Sequence, residues 1–254
     1  MTLYHDTSSL ASRWITKIFR NPTLLFVQLV TPLLFLLLFS QLLQKLTILP
    51  GVTGSYLEYL TPGILMLNTV FGGLHSGLSI INDVNSGFLN KMLLTPVKRA
   101  AILLGRLLTD LLVLMIQSII IIVVAILLGL TISTGLGGII LIFVTIAFFD
   151  LAWAGFLLAV SLKTKKAETV DAVDNLLAFP LIFLSSAIFP TSIMPQWAQT
   201  VSGYNPVSYA SNVVRDLLQG GLTWGTFATA YAVIGLIAIV TFAATLYQFR
   251  KVIS

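Results

Sequence analysis

Cysteine is absent from this chain of 254 residues, which excludes disulfides, thiolate zinc sites and cysteine nucleophiles. Charge is also scarce: Asp, Glu, Lys and Arg make up 9% of the residues, whereas a soluble domain usually carries about a quarter. Hydrophobic residues supply 57%, and the mean hydropathy is +0.99. Because so little of the chain can face water, we expect one membrane domain rather than several soluble ones.

Several catalytic signatures are missing as well. The sequence has no GxxxxGKS or GxxxxGKT phosphate loop, no GxGxxG after a strand, no HExxH and no GxSxG. Its two histidines, His5 and His75, cannot build a metal site alone. His75 adjoins Ser76, but neighbouring side chains on a helix point about 100° apart. We therefore expect no enzyme activity and no cofactor or metal bound by this chain. The basic residues are too few and too scattered to indicate nucleic acid.

Six apolar runs are long enough to cross about 30 Å of hydrocarbon, which takes roughly 20 helical residues. Within lipid, only a helix satisfies every backbone N–H and C=O from a single segment, so we predict an all-α membrane protein with six transmembrane helices. The predicted spans cover residues 23–43, 59–81, 106–130, 136–160, 173–190 and 225–248. Pro180 lies inside the fifth span and Pro190 ends it, so we expect a kink there.

The basic residues predict the orientation of these spans. Twelve of the 14 Lys and Arg residues lie on the side of both termini, whereas Lys45 and Arg215 lie on the other side. By the positive-inside rule, both termini face the cytoplasm. His5 and Asp6 come before any long apolar run, so we expect no cleaved signal peptide and a multi-pass protein of the cell (inner) membrane.

Three segments outside the spans have amphipathic or interfacial patterns. Residues 9–20 place basic and apolar side chains on opposite helical faces, which is typical of a helix lying flat in lipid headgroups. The pattern of residues 87–95 predicts a short helix with one apolar face, which suits lipid or a groove in a partner, and Thr95-Pro96 is expected to end it. Residues 191–222 are too polar to span and too apolar for a free loop. We predict two short helices there, re-entrant in the outer leaflet and divided near Asn205-Pro206.

Two ionisable residues fall within the spans. Asp150 lies far from both ends of its span, where a carboxyl either marks a transport pathway or is held by hydrogen bonds between helices. His75 is expected to be packed or to face a pore. Asp110 follows Arg106 by one helical turn, which favours a local salt bridge that fixes the third span. A proton- or ion-coupled secondary transporter that uses Asp150 therefore stays an alternative function, and a membrane enzyme or scaffold is a third.

Four stretches resemble the membrane subunits of ATP-binding-cassette exporters of the type-2 permease family, of the daunorubicin-resistance kind. They are the lead-in that ends FRNP (19–22), YLTPGILM (59–66), NSGFLNKMLLTPVKR (85–99) and FLSSAIFPTSIMPQWAQTVSGYNPVSYASNVVRDLL (183–218). With the order of the spans, they cover nearly the whole chain. Members of the family often carry several charges before the GFL, whereas NDVNSG (82–87) keeps only Asp83.

The resemblance implies a permease without a nucleotide site of its own, which exports a hydrophobic or amphipathic substrate such as a drug, a lipid or a glycan. It would form a homodimer, or a heterodimer with a second permease, and dock separate ATPase subunits that bind ATP and Mg. Residues 87–95 would be the coupling helix and residues 9–20 the interface helix beside it. The residues expected to dock the ATPase are Gly87, Phe88, Leu89, Lys91, Met92, Leu93 and Pro96. Those expected on the interface helix are Arg13, Trp14, Lys17, Ile18 and Arg20.

Overall fold

The computed structural model describes residues 22–43, 55–87, 99–221 and 223–253, together with residues 12, 15, 16 and 20. In these ranges the chain is helical and contains no strand. The eight α-helices are α1 (Pro22–Leu42), α2 (Tyr56–Asn85), α3 (Arg99–Leu127), α4 (Gly135–Thr164), α5 (Ala167–Phe183), α6 (Gln196–Tyr204), α7 (Pro206–Gln219) and α8 (Trp224–Ile253), and a short 3-10 turn (Thr191–Ile193) precedes α6. The expectation of an all-α membrane protein is confirmed for this part of the chain.

Four of these helices are long and apolar enough to cross a membrane. They are Tyr56–Asn85, Leu104–Leu127, Gly135–Thr164 and Trp224–Gln248. The described part of α1 (Phe26–Leu42) is also apolar but shorter. Helix α5 has 17 residues and does not reach the length of a candidate span. The chain is therefore a multi-pass membrane protein, and a layout of six spans stays a prediction.

Helix α2 lies at the centre of the bundle and packs against α1, α3, α4, α5 and α7. It begins with a capping box, in which the Ser55 hydroxyl and the Glu58 carboxylate each accept a backbone N–H of the other residue. Small residues allow close packing along the helix: a Cβ on Gly63 would overlap the Ala187 carbonyl, and one on Gly73 would overlap the Trp153 ring. Its 30 residues extend about 45 Å, which exceeds the hydrocarbon thickness.

The bundle has two ends, which we name after the termini of α2. At the Tyr56 end, Thr131 donates to the Glu58 carboxylate with an Oγ1–Oε1 distance of 2.6 Å. At the same end, the Tyr56 hydroxyl donates to the Ile188 carbonyl at 3.0 Å. Helices α6 and α7 and the turns before them belong to this end, whereas Asn85 and the start of α3 at Arg99 lie at the other end.

The fifth helix differs from its prediction. It begins at Ala167 and ends at Phe183, whereas the sequence predicted residues 173–190. The Asn205 side-chain amide donates to the carbonyls of Leu181 and Leu184 at 2.9 and 3.1 Å, so it satisfies acceptors that the end of a helix leaves open. A chain of turns follows as far as Pro190. The predicted division between two short helices is confirmed, since α6 and α7 meet at Asn205.

Candidate functional site

A cavity of about 560 Å³ lies between α1, α2 and α3. Most of the surface of its wall is apolar. The residues that line it are Val27, Gln28, Thr31, Pro32, Asn68, Phe71, Gly72, Leu74, His75 and Gln117. A largely apolar cavity with a few convergent polar groups is the usual form of a site for a small molecule.

Three side-chain amides, with Thr31 and His75, supply the polar part of this wall. Gln117 of α3 donates from Nε2 to the side-chain Oε1 of Gln28 on α1 at 2.9 Å, so this hydrogen bond links two of the helices that form the cavity. Asn68 of α2 is 3% exposed, and its Nδ2 has no hydrogen-bond partner among the residues that the structure describes. Leaving such a buried donor unpaired costs about 1–3 kcal/mol. An acceptor atom on a bound molecule would remove that cost.

His75 connects the cavity wall to a buried ion pair. Its carbonyl accepts from Arg106 Nη2 at 3.5 Å. Arg106 also donates to both oxygens of Asp110, with Nη2–Oδ1 at 2.6 Å and Nε–Oδ2 at 3.1 Å. The two side chains are 5% and 11% exposed, so this bidentate pair is largely removed from water. The predicted local salt bridge is confirmed within α3, and the hydrogen bond from Arg106 to the His75 carbonyl links α3 to α2.

Asp150 does not line the cavity. It is 2% exposed and lies near the middle of the 30-residue α4. Its Oδ2 has no hydrogen-bond partner in the described part of the chain. A structural carboxyl would be held by hydrogen bonds to a neighbouring helix, and this oxygen makes none to the described residues. The choice between pathway and structural roles for Asp150 stays open.

Most of the predicted docking residues lie outside the described residues. This applies to Phe88, Leu89, Lys91, Met92, Leu93 and Pro96 of the coupling helix, and to Arg13, Trp14, Lys17 and Ile18 of the interface helix. Gly87 is described: its φ of +68° suits glycine, and its N–H donates to the Val84 carbonyl just after α2 ends. Arg20 is exposed in a turn. Asp83, the one charged residue kept before Gly87, is 5% exposed.

A second polar centre, around Arg215, has no counterpart among the predicted site residues. Arg215 of α7 is 8% exposed and donates to carbonyls of α2 and of the turn after α5. The sequence analysis assigned Arg215 no role beyond being one of two basic residues predicted on the outer side. The amides Gln28, Asn68 and Gln117 were also missed, although polar residues inside apolar spans were a signal that could have found them.

No group of three or more His, Asp or Glu side chains that could hold a metal ion occurs among the described residues. The arrangement offers a cavity with hydrogen-bonding amides, next to a buried ion pair on α3 that also donates a hydrogen bond to α2. Such a site can bind and release an amphipathic molecule.

Comparison with known proteins agrees with this geometry. The sequence profile described as "ABC-2 type transporter" matches residues 5–219. The ycf38 protein of Pyropia yezoensis, described as a transport permease whose activity is itself not established, is 30% identical over 96% of this chain and 88% of its own length. Its counterpart in Cyanophora paradoxa is 32% identical over 82% of this chain and 72% of its own length.

A relative with a more specific description is the daunorubicin resistance ABC transporter permease protein DrrB1 of Streptomyces coeruleorubidus. It is 26% identical over 74% of this chain and 66% of its own length. The resemblance to daunorubicin-resistance permeases is thereby confirmed. With a profile that matches most of its length, the chain belongs to the ABC-2 type transporter family, as a transport permease subunit.

Proposed function

We propose that this chain is the six-span permease subunit of an exporter and that the cavity between α1, α2 and α3 holds the exported molecule. The cavity is the observation that carries the proposal, because it combines an apolar wall with the amides of Gln28, Asn68 and Gln117. These groups suit a drug-like or lipid-like molecule with hydrogen-bonding atoms on an apolar body. DrrB1, described as a daunorubicin resistance permease, supports the same substrate class.

The energy would come from a separate ATPase, because the sequence contains no phosphate loop. The predicted coupling helix 87–95 directly follows α2, and α2 supplies Asn68 and His75 to the cavity. Asn68 lies about 26 Å before the end of α2 at Asn85. A movement applied at Gly87 would therefore reach the cavity through one continuous helix, as alternating access requires. Residues 9–20 would flank the docking site, and two permease copies, or this chain and a second permease, would form the pathway.

The positive-inside count supports cytoplasmic termini and a Tyr56 end on the outer side. With α1 as the first span and α5 continuing through its turns as the fifth, six crossings result. A membrane-impermeant label on a cysteine at Ser133, which is exposed between α3 and α4, distinguishes the two orientations. Labelling only from outside supports this topology, and labelling only from the cytoplasm contradicts it.

Docking is tested by changing the apolar face of the coupling helix. Burying Phe88 and Leu89 in a partner would contribute roughly 1.5–3 kcal/mol each, so Phe88→Ala with Leu89→Ala is expected to weaken ATPase binding by one to several decades. Co-purification and substrate-stimulated ATP hydrolysis measure this loss. Lys91→Ala, on the opposite face of the same segment, should weaken binding far less, because a solvated charge contributes little even within the docking segment. Normal co-purification and turnover of the double variant would contradict docking through this helix.

The cavity is tested by filling it. Gly72 lines the cavity, and a Cβ there would meet only Leu114 Cδ1, at 3.8 Å, so Gly72→Phe can enter the space without displacing backbone. Transport of a panel that includes daunorubicin and a fluorescent phospholipid should fall at least about tenfold, since the bulk occupies the site of the ligand. Gly235→Phe on α8, where a Cβ meets no atom within 4 Å, is the matched control. Equal transport by both variants would place the pathway elsewhere.

A further inference from the structure

A second cavity, of about 410 Å³, lies at the Tyr56 end between α2, α6, α7 and the turns before α6. It is separate from the cavity proposed above, and the two share no lining residue. Polar side chains dominate its lining, including the hydroxyls of Ser186, Thr191, Ser202 and Ser208 and the amide of Asn212. We refer to it as the Arg215 pocket, because Arg215 is the one cationic residue that lines it.

Within the described residues, every hydrogen-bond acceptor of the Arg215 guanidinium is neutral. Nη2 donates to the Ser186 carbonyl at 2.8 Å and to the Tyr59 carbonyl at 3.2 Å, and Nε donates to the same Tyr59 carbonyl at 3.4 Å. Nη1 donates to Asn212 Oδ1 at 2.7 Å. The Tyr59 ring lies under the guanidinium carbon, with 3.9 Å to the ring centroid. A guanidinium has five N–H groups, so these bonds leave one donor on Nη1.

No carboxylate within the described ranges comes within salt-bridge distance of Arg215. Asp216 follows it in the helix, but the Asp216 carboxylate accepts a hydrogen bond from Thr226 at 3.4 Å instead. Burial lowers the pKa of Arg215, yet an arginine stays protonated in proteins. The neighbouring Asp216 attracts this charge without forming an ion pair with it. A buried cation without an ion-pair partner is costly, and an anion in the pocket would offset that cost.

The hydroxyl groups around the pocket can turn toward an anion. Ser202 Oγ and Ser208 Oγ are 3.0 Å apart, and either can be the donor. A serine hydrogen rotates to suit its acceptor, so both hydroxyls can be redirected at little cost. The outer surface of α6 next to this pocket carries Trp197 and Tyr204, which are 62% and 81% exposed. Aromatic side chains of this kind are typical of the boundary between lipid and water.

We propose that the Arg215 pocket binds the phosphate, sulfate or carboxylate headgroup of an amphiphile at the Tyr56 end of the permease. Arg215 and the serine hydroxyls hold the oxyanion, and the apolar tail lies toward lipid beside α6. This proposal rests on the proposed function, since it assigns an anionic headgroup to a molecule on the exit side. The amphiphile is favoured over a free anion because the pocket adjoins a surface suited to the membrane boundary.

Gly203 offers a test that leaves Arg215 in place. It lines the pocket on α6, and a Cβ there would meet no atom within 4 Å. Gly203→Glu therefore brings a carboxylate into the pocket, and Gly203→Gln brings a neutral side chain of nearly the same shape. The full chain in phosphatidylcholine nanodiscs is titrated with dodecyl phosphate below its micelle concentration, with dodecyl maltoside and with inorganic phosphate. The shift in Tm reports binding.

Dodecyl phosphate should raise the Tm of the wild type and of Gly203→Gln, and Gly203→Glu should weaken its apparent affinity by about tenfold or more, since like charges repel. Dodecyl maltoside should not discriminate between the variants. Equal binding of dodecyl phosphate to all three proteins, or no binding to wild type, would overturn the proposal. If inorganic phosphate alone shows the same discrimination and affinity, the site binds a free anion and the headgroup assignment is overturned. The ATPase is absent from this assay, so its result stands whether or not transport is driven by ATP.

Discussion

Arg106 and Arg215 are both buried in this bundle, with 4% and 8% of their surfaces exposed, but their charges are compensated differently. Arg106 has a bidentate carboxylate partner one turn away on its own helix. Arg215 has carbonyls, an amide and a tyrosine ring, contributed by α2, α7 and the turn after α5. The first arrangement is a neutral pair, whereas the second is a buried cation with no carboxylate within salt-bridge distance among the described residues.

This difference separates two uses of a buried arginine. A neutral pair such as Arg106–Asp110 can be replaced by other side chains if both members change together, because no charge then remains unpaired. Arg215 instead connects three segments through hydrogen bonds to the carbonyls of Tyr59 and Ser186 and to Asn212 Oδ1. Its loss would leave two backbone carbonyls, those of Tyr59 and Ser186, without this donor.

The largest expected effect is therefore that of Arg215→Gln. A glutamine cannot reach all of these acceptors, so we expect a loss of about 3–5 kcal/mol in folding free energy. Thermal unfolding in nanodiscs and the yield of membrane-inserted protein measure it. Arg215→Lys should be intermediate, because it keeps the charge but lacks the planar fork.

Lys163→Gln is the control for this experiment, since Lys163 is exposed at the other end of the bundle. It removes the same unit of positive charge without removing a buried donor. If Arg215→Gln unfolds at the same temperature as Lys163→Gln, the hydrogen bonds of Arg215 do not stabilise the Tyr56 end of the bundle.

A smaller and partly reversible effect is expected at the ion pair. Arg106→Gln or Asp110→Asn alone leaves one buried charge unpaired, whereas the double variant leaves none. A double-mutant cycle on thermal stability should give a coupling of about 1–3 kcal/mol. Additive losses in the double variant would show that the two side chains act independently, which the 2.6 Å contact argues against.

The same two arginines show what sequence could predict. The Arg106–Asp110 pair was predictable because its partners are four residues apart, a spacing that a helix brings together. Two partners of Arg215, the carbonyls of Tyr59 and Ser186, lie 156 and 29 residues away, and no local pattern indicates such contacts. Composition and apolar runs predicted the helices, since a lipid environment leaves few other structures possible. The end of α5 at Phe183 was missed because its cap, Asn205, comes from another helix.

The candidate cavity could not be predicted from the sequence for a related reason. Gln28, Asn68 and Gln117 belong to three helices, and only their packing brings them to one wall. His75 was identified as a residue that could face a pathway because it is ionisable, and the structure places it on that wall. The docking segments 9–20 and 87–95 rest on amphipathic pattern and family resemblance, so they remain predictions.

Measuring what drives transport tests most directly the central claim that this chain is an ATP-driven permease. The permease and its ATPase are reconstituted in proteoliposomes, and the movement of daunorubicin is followed with and without Mg-ATP and with the proton gradient collapsed. Transport should require Mg-ATP and ignore the gradient, and Asp150→Asn should keep most of the rate because the amide preserves the shape of the carboxyl. Transport that proceeds without nucleotide, stops when the gradient collapses and is abolished by Asp150→Asn would contradict an ATP-driven permease and favour a proton-coupled transporter.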